Sequence, residues 1–172
     1  VVHCKSRAQA ELVLGRIAAR MNEVGLRLHP DKTRIVYCKD GQRRAEHEYT
    51  SFTFPGYAFR ARGARSKRRN FTGFLTAISP EALKAKSAWL RELRIHRRTD
   101  LSLDALARWL NPIVSGWINY YGRFYRSELN PLLRRVNAYV RRWAGRKYKR
   151  LRTQKLYGRW LAAFFGVSQH AG

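Results

Sequence analysis

The chain has 172 residues, with 36 Lys and Arg against 11 Asp and Glu, a formal charge of +25, and 45% of its residues are apolar. That is enough apolar material for a core in one domain or two small ones, while no apolar run approaches the roughly 20 residues of a membrane span, so a membrane partner is not expected. Cys4 and Cys38 are the only two cysteines, too few for a disulfide framework and without metal-ligand spacing; they read as buried thiols in a reducing cytoplasm, and no signal peptide is expected.

Val1-Val2-His3-Cys4 reads as a short strand entered from its middle, because natural termini are usually polar and frayed. The expectation is a piece of a longer protein. Ser6 suits an N-cap for a helix running to Gly25, which is placed as the glycine that ends it. Leu14, Ile17, Met21 and Val24 recur along it at helical spacing. Leu26–Leu28 and Ile35–Tyr37 suggest two strand pieces around a turn at His29-Pro30-Asp31, followed by a polar loop over 39–48.

Phe52-Thr53-Phe54 alternates and is stopped by Pro55-Gly56, and Tyr57-Ala58-Phe59 alternates again. Residues 60–70 hold six basic side chains in eleven, and Phe71–Ile78 returns to strand character. The expected element is a hairpin with a charged tip.

From Ser79 the pattern turns helical. Ser79-Pro80-Glu81 offers a cap, a first-turn proline and an acid at the positive helix end, for a helix to about His96. Leu103, Leu106, Leu110, Ile113, Val114, Trp117 and Tyr121 mark the next helix, which Pro112 is expected to kink or to split after Asn111; Gly122 ends it. A third helix starts near Ser127 or Asn130, burying Leu129, Leu132, Leu133, Val136, Val140 and Trp143. A short last helix over about 153–165 carries Leu156, Trp160, Leu161 and Phe164. The aromatic cluster Trp109, Trp117, Tyr120, Tyr121, Phe124 and Tyr125 reads mostly as core, with Trp109 and Tyr120 at its edge.

After Glu128 the remaining 44 residues contain no acid, while basic and aromatic residues interleave, as in Arg141-Arg142-Trp143 and Lys147-Tyr148-Lys149-Arg150. At about 100° per residue the apolar set of the third helix centres on Val136, and Arg134, Arg135, Arg141, Arg142, Arg146 and Lys149 fall opposite. A solvated face normally mixes signs; this one does not, which favours a nucleic-acid surface over an ordinary solvated one. The hairpin residues Arg60, Arg62, Arg65, Lys67, Arg68 and Arg69 form a second basic set, either a further RNA site or a basic loop without a role. No phosphate loop, GxSxG or HExxH occurs. Asp31 and Asp40 are separated by a predicted strand and make no paired-carboxylate site, so neither catalytic nor metal-binding residues are assigned.

Three stretches carry a resemblance. Gly25-Leu26-Arg27-Leu28-His29-Pro30-Asp31-Lys32-Thr33 resembles the late palm motif of group II intron reverse transcriptases. Phe52-Thr53-Phe54-Pro55-Gly56-Tyr57 resembles their primer-grip segment, where many members have Leu in place of Pro55. Leu110-Asn111-Pro112-Ile113-Val114-Ser115-Gly116-Trp117-Ile118-Asn119-Tyr120-Tyr121 is similar to the signature of their maturase-specific domain, domain X. The resemblance implies an α+β chain: the end of a reverse-transcriptase palm with its primer-grip hairpin, then an α-helical thumb and domain X bundle. The implied domains are 1–60, a basic hairpin connection at 61–78, and 79–172. Phe54, Pro55, Gly56 and Tyr57 would position a primer, and Lys32 either sits near the incoming nucleotide or is a plain turn lysine. The family's Tyr-Ala-Asp-Asp turn is not in this sequence, nor is its Cys-rich endonuclease. No cofactor is therefore expected here, although the parent would use Mg²⁺, and the chain alone is expected to be inactive as a polymerase. The implied function is binding intron RNA and template–primer for splicing and reverse transcription, in a cytoplasmic nucleoprotein. The alternative is a stand-alone splicing cofactor.

Overall fold

The computed structural model describes residues 1–66, 69–151 and 153. The element order is α1 (Arg7–Glu23), β1 (Ser51–Phe54), β2 (Tyr57–Arg65), β3 (Asn70–Ile78), α2 (Pro80–Glu92), a 3₁₀ turn (Ile95–Arg97), α3 (Leu103–Tyr121), a 3₁₀ turn (Arg126–Leu129), α4 (Asn130–Lys147) and a 3₁₀ turn (Lys149–Leu151). The chain is therefore α+β. It divides into two compact units, one of residues 1–54 and 59–75, the other of 55–58 and 76–172.

In the first unit, Ser6 accepts a hydrogen bond from the Gln9 amide at 3.2 Å, and Gly25 (φ 73°) follows the C-cap residue Val24, as the residue types demand. No residue of α1 is buried: Ile17 is 38% exposed, and the C-cap Val24 is 55% exposed. Its two ion pairs, Arg7–Glu11 and Arg20–Glu23, are exposed and contribute little. Of the expected apolar stripe, Leu14 and Met21 are half-buried, while Ile17 and Val24 are exposed.

The turn at His29-Pro30-Asp31 forms, with the Lys32 and Thr33 amides donating to the His29 carbonyl. The strands expected at Val1–Cys4, Leu26–Leu28 and Ile35–Tyr37 do not. A strand needs a partner ladder, and among the described residues only the Tyr37 amide finds a distant carbonyl there, that of Tyr49. Cys4 and Cys38 are half-buried rather than buried.

The three strands form one sheet in the order β1-β2-β3, and the tight turns between them make both pairings antiparallel. Phe52 stacks flat on Phe59, ring centroids 4.4 Å apart. The basic stretch is not the loop expected. β2 runs through Arg60 and Arg62 to Arg65, and the connection closes with the Ser66 amide donating to the Arg69 carbonyl.

In the second unit, Ser79 and Ser102 cap α2 and α3 by accepting from the Ala82 and Ala105 amides, both at 3.1 Å. α2 stops at Glu92 rather than His96, and Arg94 turns left-handed (φ 46°, ψ 39°), which for a residue with a Cβ costs roughly 1–2 kcal/mol. α3 is one helix through Pro112. The expected split is absent because Pro112 lies on the exposed side, where water reaches the carbonyl that the proline leaves without an amide partner. The core gathers Leu90, Ile95, Leu106, Leu110, Trp117, Tyr121, Leu129, Leu132, Val136 and Trp143, so the helical register read from spacing holds. Leu133 and Val140 are only half-buried. The helix expected at 153–165 lies outside the described residues.

Candidate nucleic-acid interface

α4 is amphipathic because Leu132, Val136, Val140 and Trp143 return every three or four positions; all are buried but Val140, which is half-buried. Arg134, Arg135, Arg141, Arg142 and Arg146 are exposed, and no acidic residue lies within the helix. Lys149 does not continue this face. The helix ends at Lys147, Tyr148 is extended, and Lys149 sits in the following 3₁₀ turn, also exposed. Arg142 lies over the Tyr139 ring, 5.6 Å from its centroid.

The loop after α2 is tied to α4 by side chains donating to its backbone. Trp143 Nε1 donates to the Arg98 carbonyl at 2.7 Å. Lys147 Nζ donates to the carbonyls of Thr99 at 2.8 Å and Leu101 at 2.7 Å. Arg146 reaches the His96 carbonyl at 3.4 Å. This brings Arg94, Arg97 and Arg98, all exposed, to the arginines of α4. Sequence reading missed these three, because the bonds that place them span 45 to 50 residues. His96 stacks on Tyr139, ring centroids 5.9 Å apart. Burial first, then the positive charges of Arg146, Arg97, Arg142 and Arg94, push its imidazole below the ordinary value of 6.5.

The basic residues of the hairpin belong to the first unit. Arg60, Arg65 and Arg69 are exposed, whereas Arg62 is 7% exposed, a poor position for a phosphate contact. Lys67 and Arg68 lie outside the described residues. Lys32 is exposed in the turn after α1.

Of the residues matched to the primer grip, Phe54 is 55% exposed at the end of β1. Pro55, Gly56 and Tyr57 are held by the end of α3. Tyr120 Oη donates to the Pro55 carbonyl at 3.0 Å, the Tyr57 hydroxyl donates to the Tyr120 carbonyl, and the Ser79 amide donates to the Gly56 carbonyl at 2.8 Å. Tyr57 packs against Tyr120, Tyr121 and Phe124. Burial, then the neighbouring Tyr120, raises Tyr121 above the ordinary tyrosine value. Two segments singled out separately in the sequence are therefore one structural latch. Tyr120 remains 48% exposed, and Trp109, half-buried, carries Arg98 over its ring at 5.5 Å.

Asp31 is exposed and 4.0 Å from His29, and Asp40 spends its Oδ1 on the amides of Gln42 and Arg43, bonds that hold its carboxyl below the usual range. Among the described residues no group of three His, Cys, Asp or Glu side chains is placed to hold a metal, and no helix is long and apolar enough to cross a membrane.

No curated protein and no solved structure matches the chain. Residues 83–160 match the family described as group II intron, maturase-specific domain, a span that starts in α2 and takes in α3, α4 and the loop that α4 holds. Over this helical region the chain is similar to the maturase-specific domain of group II introns, which supports a group II intron maturase.

Proposed function

We propose that this chain is the RNA-binding portion of a group II intron maturase, with intron RNA held on the basic face of α4. One observation carries the reading: five exposed arginines share a helix without an acid, inside the region similar to the maturase-specific domain. Arginines so placed neutralise phosphates and fix register on an RNA without reading its sequence. Binding of template–primer belongs to the same proposal, with the Pro55–Tyr57 turn, set by Tyr120, as the primer-positioning element and Lys32 beside the primer end. In this reading the exposed hairpin residues Arg60, Arg65 and Arg69 add backbone contacts, and the assembly works as a nucleoprotein in the cytoplasm. In this reading the chain's own part is to bind and orient RNA.

The test is RNA binding at several salt concentrations. The double substitution Arg141→Ala with Arg142→Ala should lower the slope of log affinity against log salt by roughly 0.7–0.9 per lost contact. The loss should be alike for an intron fragment and an unrelated structured RNA, and thermal melting should hold, since both side chains are exposed. A slope unchanged from the parent contradicts the reading.

A further inference from the structure

Helices α1 and α2 end alike, with the residue after the C-cap in the left-handed region, yet the residue differs. After Val24 it is Gly25; after Leu93 it is Arg94. Glycine or asparagine is the usual occupant of that position, and Arg94 is the one non-glycine with positive φ among the described residues. Its side chain is exposed, so the core does not explain why an arginine holds a place that favours glycine. Strain kept at such a point directs attention to the side chain it presents.

The surroundings are positive from two elements. Arg97 follows from the same 3₁₀ turn, and Arg142 and Arg146 come from α4, which packs on that turn. All four guanidinium groups oppose protonation of His96. Between Glu92 and Asp100 the segment contains no acid, and neither does α4. The floor is fixed: the His96 ring lies against Tyr139, Arg142 covers the same tyrosine, and His96 Nδ1 is shut from solvent without a hydrogen-bond partner among the described residues. Four like charges gathered on a rigid floor repel one another until an anion joins them.

We propose that Arg94, Arg97, Arg142 and Arg146 form one seat, floored by His96 and Tyr139, for neighbouring phosphates of a folded RNA backbone. The proposal rests on the RNA-binding reading and adds to it a second element, the loop after α2, acting on the same phosphates as α4.

The experiment uses the full chain and a structured RNA hairpin, with affinity measured across a salt series. The loop variant Arg94→Gly with Arg97→Gln should lower the salt slope by roughly 0.7–0.9 per lost contact. The helix variant Arg142→Gln should lower it as well. Because the two sides share phosphates, the combined variant should lose less than the sum of the separate losses. Arg94→Gly should melt no lower than the parent, because glycine accepts the left-handed backbone; a residue needed only for folding would not show lost binding with kept stability. A parent-like slope in the loop variant overturns the seat, and so do fully additive losses. If Arg141→Ala with Arg142→Ala still lowers the slope in that case, RNA binding by α4 stands without the seat.

Discussion

Trp143→Ala should be the most damaging single substitution in the helical unit, at about 3–5 kcal/mol. The indole is fully buried, packs edge-on against Tyr148 and donates to the Arg98 carbonyl at 2.7 Å. Truncation leaves a cavity and removes the donor that ties the arginine-bearing loop to α4. A loss of this size is a large part of the stability of a small domain. Denaturant unfolding of mutant and parent should therefore separate widely. Trp143→Phe, which keeps much of the packing but not the donor, should fall between them. Coincident unfolding curves for Trp143→Ala and the parent contradict the placement of this ring in the core.

Gly56→Ala should destabilise the latch at the end of α3 by about 1–3 kcal/mol. Gly56 has φ 82°, and an added Cβ would stand 3.1 Å from Tyr121 Oη and 3.4 Å from Tyr121 Cε1. The backbone term and the contact act together, because Tyr121 is 8% exposed and has little room to yield. A lower melting temperature is expected, while Gly15→Ala, in open space within α1, should be neutral or stabilising. Equal behaviour of the two variants contradicts the packing of the Pro55–Tyr57 turn on Tyr121.

What was legible in the sequence was whatever its own neighbours determine. Ser6 and Ser79 cap helices, Gly25 follows α1 with positive φ, and Leu106, Leu110, Trp117 and Tyr121 are core, because these choices follow from spacing and residue chemistry alone. Ile35–Tyr37 looked like a strand but has no ladder to join; strand character in a sequence does not supply the partner. Arg60, Arg62 and Arg65 looked like a loop because charge hid the extended run of β2, in which Arg62 is buried. Pro112 looked like a kink or a split, and α3 is not split there, because its exposed position depends on how the helix packs. Of the candidate interface, the arginines of α4 were legible from their period. Arg94, Arg97 and Arg98 were not, because long-range bonds from Trp143, Arg146 and Lys147 to backbone carbonyls place them there, and a carbonyl leaves no mark in the sequence. The joining of Tyr57 to Tyr120 was hidden for the same reason.

The most direct measurement of where RNA sits is crosslinking of a group II intron RNA to the chain, followed by identification of the crosslinked peptides. Contact through the maturase-specific region predicts crosslinks in residues 94–98 and 134–146, lost in high salt as phosphate contacts are. Crosslinks confined to residues 1–53, sparing both of those segments, would contradict the account.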